Sequence, residues 1–178
     1  MSTDQKGNIA EAAIALAASK LGIVVYRPLG EGGRCDMIFE IRDKYVRVQC
    51  KWAPREGDVV VVRCYSSRRT RTGLLKRTYS RAEIDAFAAY CPQLDTCYFL
   101  PIELLDGRSH ISLRLRPTRN NQRLGVHWAD MYEFAATLGH VGAVAQLGER
   151  RHGMAEATGS SPVGSTFGVA ALAQGRLV

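Results

Sequence analysis

No pair of cysteines in this chain stands at CxxC spacing, and no histidine stands at zinc-ligand spacing from a cysteine. The five cysteines, at 35, 50, 64, 91 and 97, are an odd number. Both facts argue against a disulfide framework and a structural zinc site, and the thiols are expected to be reduced and mostly buried. Long apolar runs are missing too: none reaches the roughly eighteen residues needed to span a bilayer. The first residues, MSTDQKGN, are polar and carry no signal-peptide core. A chain that stays in the cytoplasm is expected.

Acidic residues are scarce in one place above all. Overall, 24 Lys and Arg face 17 Asp and Glu, a net charge of +7. From Val59 to Ala82 there is no acid, whereas Arg63, Arg68, Arg69, Arg71, Lys76, Arg77 and Arg81 all fall there. Such a run is a footprint for a phosphate backbone, with a solvated basic loop as the competing reading.

What is present fits one core. With 46% hydrophobic and 23% charged residues, the 178-residue chain has the composition of an ordinary globular domain. Residues 7–21 read as an amphipathic helix with Ile9, Ala13, Leu16, Ala17 and Leu21 at helical spacing, stopped by Gly22. Short β-type runs follow at 23–26, 35–41, 45–52 and 59–64, with a tight turn at Arg42-Asp43-Lys44. The spacing predicts a helix over 82–90, strands over 96–100 and 111–115, and a closing helix over 128–138. That order is a single α/β or α+β domain with a central mixed β-sheet, over residues 1–139. Residues 140–178 are rich in Gly, Ala and Ser, show no sustained period, and are expected to form a disordered tail.

The informative segment is Arg34-Cys35-Asp36-Met37-Ile38-Phe39-Glu40, followed by Val46-Arg47-Val48-Gln49-Cys50-Lys51. Alternate side chains on a strand share a face, so Gln49 and Lys51 point one way and Val46, Val48 and Cys50 the other. A polar pair on an apolar strand costs free energy unless it is used or satisfied. Asp36 heads the preceding strand, where a hairpin brings it beside Gln49.

This arrangement is similar to the PD-(D/E)xK nuclease motif, in which an Asp begins one strand and an acid and a Lys, one residue apart, lie on the next. The whole block from Lys6 to about Phe134 resembles the PD-(D/E)xK homing endonucleases of group I introns in bacterial transfer-RNA genes. The resemblance rests on Gly7…Glu11, Pro28-Leu29-Gly30, Asp36-Met37-Ile38-Phe39, Val48-Gln49-Cys50-Lys51, Arg68-Arg69-Thr70-Arg71-Thr72, Asp85-Ala86-Phe87-Ala88-Ala89-Tyr90 and Tyr98-Phe99-Leu100-Pro101. It implies a restriction-endonuclease-like core with flanking helices, and cleavage of double-stranded DNA with Mg²⁺ or Mn²⁺. Asp36 would be the chief metal ligand, Gln49 and the Cys50 backbone carbonyl further oxygen donors, and Lys51 the catalytic cation. Gln49 departs from the usual acid, so a second carboxylate is needed, and Glu11 on the first helix is the natural one. Arg63, Arg68, Arg69, Arg71, Lys76 and Arg77 would lie on DNA. Both strands must be cut and one chain has one centre, so a homodimer or homotetramer is implied. A junction-resolvase-like nuclease, or a DNA-binding module whose nuclease centre has decayed, are the alternatives.

The tail has one odd property. Val144-Ala145-Gln146 can be written GTA-GCT-CAG, resembling a transfer-RNA D arm, and Gly159-Ser160-Ser161-Pro162 can be written as a T arm, at the spacing such a gene requires. The reading frame is expected to run through a transfer-RNA gene, leaving residues 140–178 as a by-product without an evolved fold.

Overall fold

The computed structural model describes residues 1–139 apart from 31, 72, 106 and 118–123, and does not describe the side chains of Arg68 and Arg69. The expectations for the tail at 140–178 lie outside the described residues. The first element, α1 (Thr3–Lys20), starts earlier than its apolar spacing suggests. Ser2 caps it, accepting from the Gln5 amide while the Gln5 side chain accepts from the Ser2 amide, so a reciprocal capping box fixes the start.

The strands follow as β1 (Val24–Tyr26), β2 (Met37–Ile41), β3 (Lys44–Trp52), β4 (Arg55–Glu56), β5 (Val59–Arg63), β6 (Tyr65–Thr70), β7 (Gly73–Thr78), β8 (Ala86–Cys91), β9 (Thr96–Pro101), β10 (His110–Arg114) and β11 (His127–Trp128). Five of them form a mixed sheet in the order β1-β2-β3-β8-β9, in which only β3 and β8 run parallel. A second sheet, β11-β10-β5-β4, covers one of its faces, α1 covers the other, and β6–β7 stand apart as a two-stranded ribbon. The tight turn between β2 and β3 has positive φ at both Arg42 and Asp43, as a two-residue hairpin of matching twist requires.

Two cores sandwich the main sheet. Met37, Phe39, Val46, Val48, Ala86, Ala88 and Phe99 pack under α1, while Val60, Val62, Phe87, Ala89, Tyr98 and Leu100 fill the space toward the second sheet. None of the described helices is long and apolar enough to cross a membrane.

Three expectations need correction. The buried stripe of α1 is Ala10, Ile14 and Ala18, whereas Ile9 and Leu16 are exposed. Alanines sit on every side of this helix, so the apolar period marks its face poorly. Ile14→Ala should therefore cost about 2–5 kcal/mol, whereas Leu16→Ala should stay within about 0.5 kcal/mol of the parent protein. Chemical denaturation checks both, and the reverse order would restore the stripe read from spacing.

Second, residues 82–90 are not a helix: turns at 81–83 lead into β8. The centre of β8 is buried on both faces, and such strands read as unbroken apolar runs without alternation. Third, 128–138 begins as β11 and a 3-10 turn, Ala129–Tyr132; only 134–139 is helical, and Met131 is exposed.

Candidate active site

The β2–β3 hairpin creates the site. Met37 pairs with Val48 across it, and the Asp36 amide donates to the Val48 carbonyl at 2.9 Å, so Asp36 lies level with Gln49 and Cys50. Its Oδ2 accepts from the Cys50 amide at 2.8 Å and from the Gln49 Nε2. Gln49 is 8% exposed, the one polar side chain buried among the described residues, and Asp36 is its partner. A polar side chain in such a place is otherwise costly.

Charge is held there against solvation. Burial pushes the Asp36 carboxyl above the usual carboxylate range, opposed by the Cys50 amide, Lys51, Gln49 and Arg27. Glu11, one turn after Gly7 on α1, is also raised, first by burial and then by the charge of Asp36, against Arg27 at 3.5 Å. The Cys50 thiol is raised well above its ordinary value, by burial first and then by Asp36 and Glu11, and stays neutral. Lys51 is lowered by burial first, with Asp36 opposing the shift. Its Nζ lies 3.3 Å from both the Tyr65 carbonyl oxygen and the Tyr79 hydroxyl.

Asp36 and Glu11 thus bind protons more readily folded than unfolded. Their own contribution to the stability of the metal-free fold should grow as pH falls from the raised folded values toward the ordinary carboxylate range, and be lost as pH rises through those values, whereas Glu83 and Asp85, both lowered, contribute with the opposite sign. By the same logic Asp36→Asn, which keeps an acceptor for the Cys50 amide, should raise the melting temperature of metal-free protein at neutral pH. A lower melting temperature in calorimetry would show that the hydrogen bonds of the carboxylate outweigh its burial cost.

The structure brings Asp36, Gln49, Cys50, Lys51 and Glu11 together. Among the described residues no three of His, Cys, Asp and Glu are grouped so as to hold a metal. The basic run is not a loop. Tyr65 pairs with Thr78 and Thr70 with Gly73, placing Arg68 and Arg69 on β6, Arg71 at the turn and Lys76 and Arg77 on β7. Lys76 sits 4.9 Å over the Tyr65 ring, and Arg77 reaches Glu83 at 2.5 Å. Arg63 ends β5 beside the foot of this ribbon, exposed and 4.0 Å from Glu56.

Sequence reasoning passed over Arg34, Tyr79 and the role of Glu83. Arg34 joins the ribbon to the core: it donates to Ser66 Oγ at 3.0 Å and the Thr78 carbonyl at 2.9 Å, and pairs with Glu83 at 2.9 Å. Asp85 locks β3 to β8 by accepting from the Arg47 amide and guanidinium at 2.8 to 3.0 Å. These partners are far apart in sequence, and no local spacing announces them.

Comparisons with known proteins bear on the fold and the family. The chain is similar to a solved structure described as that of a bacterial homing endonuclease, I-Ssp6803I, at 25% identity and a TM-score of 0.62, over 86% of this chain and all of that one. No curated protein gives a significant match. The sequence profile of the PD-(D/E)XK endonucleases matches residues 1–135, which hold α1, both sheets and the ribbon. On that match the chain belongs to the PD-(D/E)XK endonuclease family and is a DNA endonuclease.

Proposed function

We propose that this chain cuts double-stranded DNA at a specific site, as a homing-type nuclease, with Mg²⁺ or Mn²⁺ held at Asp36. One observation carries the reading: the Asp36–Gln49–Lys51 cluster lies at the foot of the basic ribbon, and the Lys51 ammonium touches the ribbon backbone at Tyr65. A duplex gripped by the ribbon would bring a backbone phosphate toward that ammonium.

The donor set fits a hard divalent cation. Asp36 and Glu11 offer carboxylate oxygens, both reluctant to ionise side by side, and a cation relieves that cost. The Gln49 amide oxygen and the Cys50 carbonyl complete a set that suits Mg²⁺, which takes one or two carboxylates and keeps several waters. Gln49 now turns its Nε2 to Asp36 and would present Oε1 by a half-turn of the amide. A bound cation would stabilise charge on the phosphate and ease deprotonation of the attacking water.

The remaining work falls to the chain. Asp36 is oriented by the Cys50 amide, Glu11 supplies a second negative charge, and Lys51 offsets charge building on the scissile phosphate. Arg63, Arg68, Arg69, Arg71, Lys76 and Arg77 neutralise the duplex backbone, and a two-stranded ribbon has the width to enter a major groove. Cutting both strands calls for two centres, hence a homodimer or homotetramer working in the cytoplasm. The transfer-RNA-like codons of the tail suggest that such a gene, or its neighbourhood, is the target.

Digestion of plasmids with and without transfer-RNA gene inserts, in Mg²⁺, tests the reading. Discrete fragments with ends mapping to one site are expected. A preference for four-way junctions over linear duplex would instead favour a resolvase-like nuclease.

A further inference from the structure

Tyr79 follows β7 and lies between the ribbon and the main sheet. Its ring stands edge-on to Phe87 at 5.3 Å, and Phe87 is the β8 partner of Gln49. The Arg34 guanidinium covers the ring at 3.9 Å while also bonding Ser66, Thr78 and Glu83. Lys51 Nζ lies 4.9 Å from the ring centre and donates to the hydroxyl at 3.3 Å. Among the described residues no carboxylate stands within ion-pair distance of Lys51, so two neutral oxygens, Tyr79 Oη and the Tyr65 carbonyl, hold the ammonium.

We propose that Tyr79 is a positioning residue of the nuclease centre, its hydroxyl holding the Lys51 ammonium at the ribbon foot where a phosphate arrives. The inference rests on the reading of Lys51 as the catalytic cation. A lysine side chain gives up much rotamer freedom when fixed. An ion pair would fix it but would also neutralise it, whereas a hydroxyl fixes it and leaves its charge for the phosphate. The ring alone serves Arg34 and Phe87, so a phenylalanine would suffice for packing. The hydroxyl is what Lys51 uses.

Tyr79→Phe separates the two roles. Its melting temperature should match wild type and its affinity for duplex in Ca²⁺ should stay within about twofold, while the single-turnover cutting rate in Mg²⁺ falls about tenfold, the worth of one hydrogen bond to a charged group. Without metal or DNA, ¹⁵N relaxation should show Lys51 as the most ordered ammonium of the wild-type chain, loosened in Tyr79→Phe. A Lys51 as mobile as surface lysines overturns the proposal before any variant is made. So does a variant that cuts at the wild-type rate, or one that loses affinity and rate equally, which would assign Tyr79 to the seat of the ribbon. Wild-type protein that fails to cut would sink the proposed function, yet the relaxation data would still decide whether Tyr79 holds Lys51.

Discussion

Asp36→Asn should abolish metal-dependent cutting, by about a thousandfold or more in single-turnover rate, while duplex binding in Ca²⁺ stays within a few-fold of wild type. The substitution changes one atom and one charge. An asparagine oxygen can still accept from the Cys50 amide, so the β2–β3 hairpin keeps its register. The anionic oxygen that would hold a divalent cation is gone, and Gln49 cannot replace it, because an amide brings no charge. Glu11 alone remains, drawn away by Arg27 at 3.5 Å. Binding should survive because the ribbon arginines lie outside the cluster. Undiminished cutting by Asp36→Asn would dispose of the site.

The second large effect belongs to the ribbon. Arg71→Ala at its exposed turn, and Arg68→Ala and Arg69→Ala on β6, should each weaken binding in Ca²⁺, where chemistry is suppressed. An arginine on phosphate should lower affinity equally on specific and random duplex and reduce the salt slope by about one. An arginine on a base edge should cost about 1–3 kcal/mol on the specific site and leave random duplex nearly unaffected. Arg77 should behave differently, since Glu83 already takes part of its charge. Lys51→Ala serves as the control, impairing cutting far more than binding. If all three arginine variants bind both duplexes like wild type across a salt series, the ribbon is a solvated surface.

How much of this is legible in the sequence depends on where the partners lie. The Asp36–Gln49–Lys51 cluster is short-range: a period of two puts Gln49 and Lys51 on one face, and a two-residue turn at Arg42-Asp43 folds Asp36 back to them. The strand β8 is legible only in context, because an Ala-Phe-Ala-Ala run has good helix propensity and no alternation. Burial between β3 and β9 makes it a strand. The face of α1 is hidden by alanines, so the stripe emerges only when Ala10, Ile14 and Ala18 meet the sheet. Least legible are Arg34, Tyr79 and Glu83, whose interactions join residues some forty-nine positions apart in the case of Arg34 and Glu83. The strand pairing that makes the basic run a ribbon likewise leaves no mark in its charge pattern.

If a divalent cation at Asp36 drives duplex cleavage, removing and restoring it should switch cutting off and on. Wild-type protein is stripped with chelator and its single-turnover cutting of duplex followed before and after Mg²⁺ is restored, with Asp36→Asn carried through in parallel. No cutting is expected in chelator, full recovery with Mg²⁺ in wild type, and none in the variant. Cutting that persists in chelator, or recovery in Asp36→Asn equal to wild type, would contradict it.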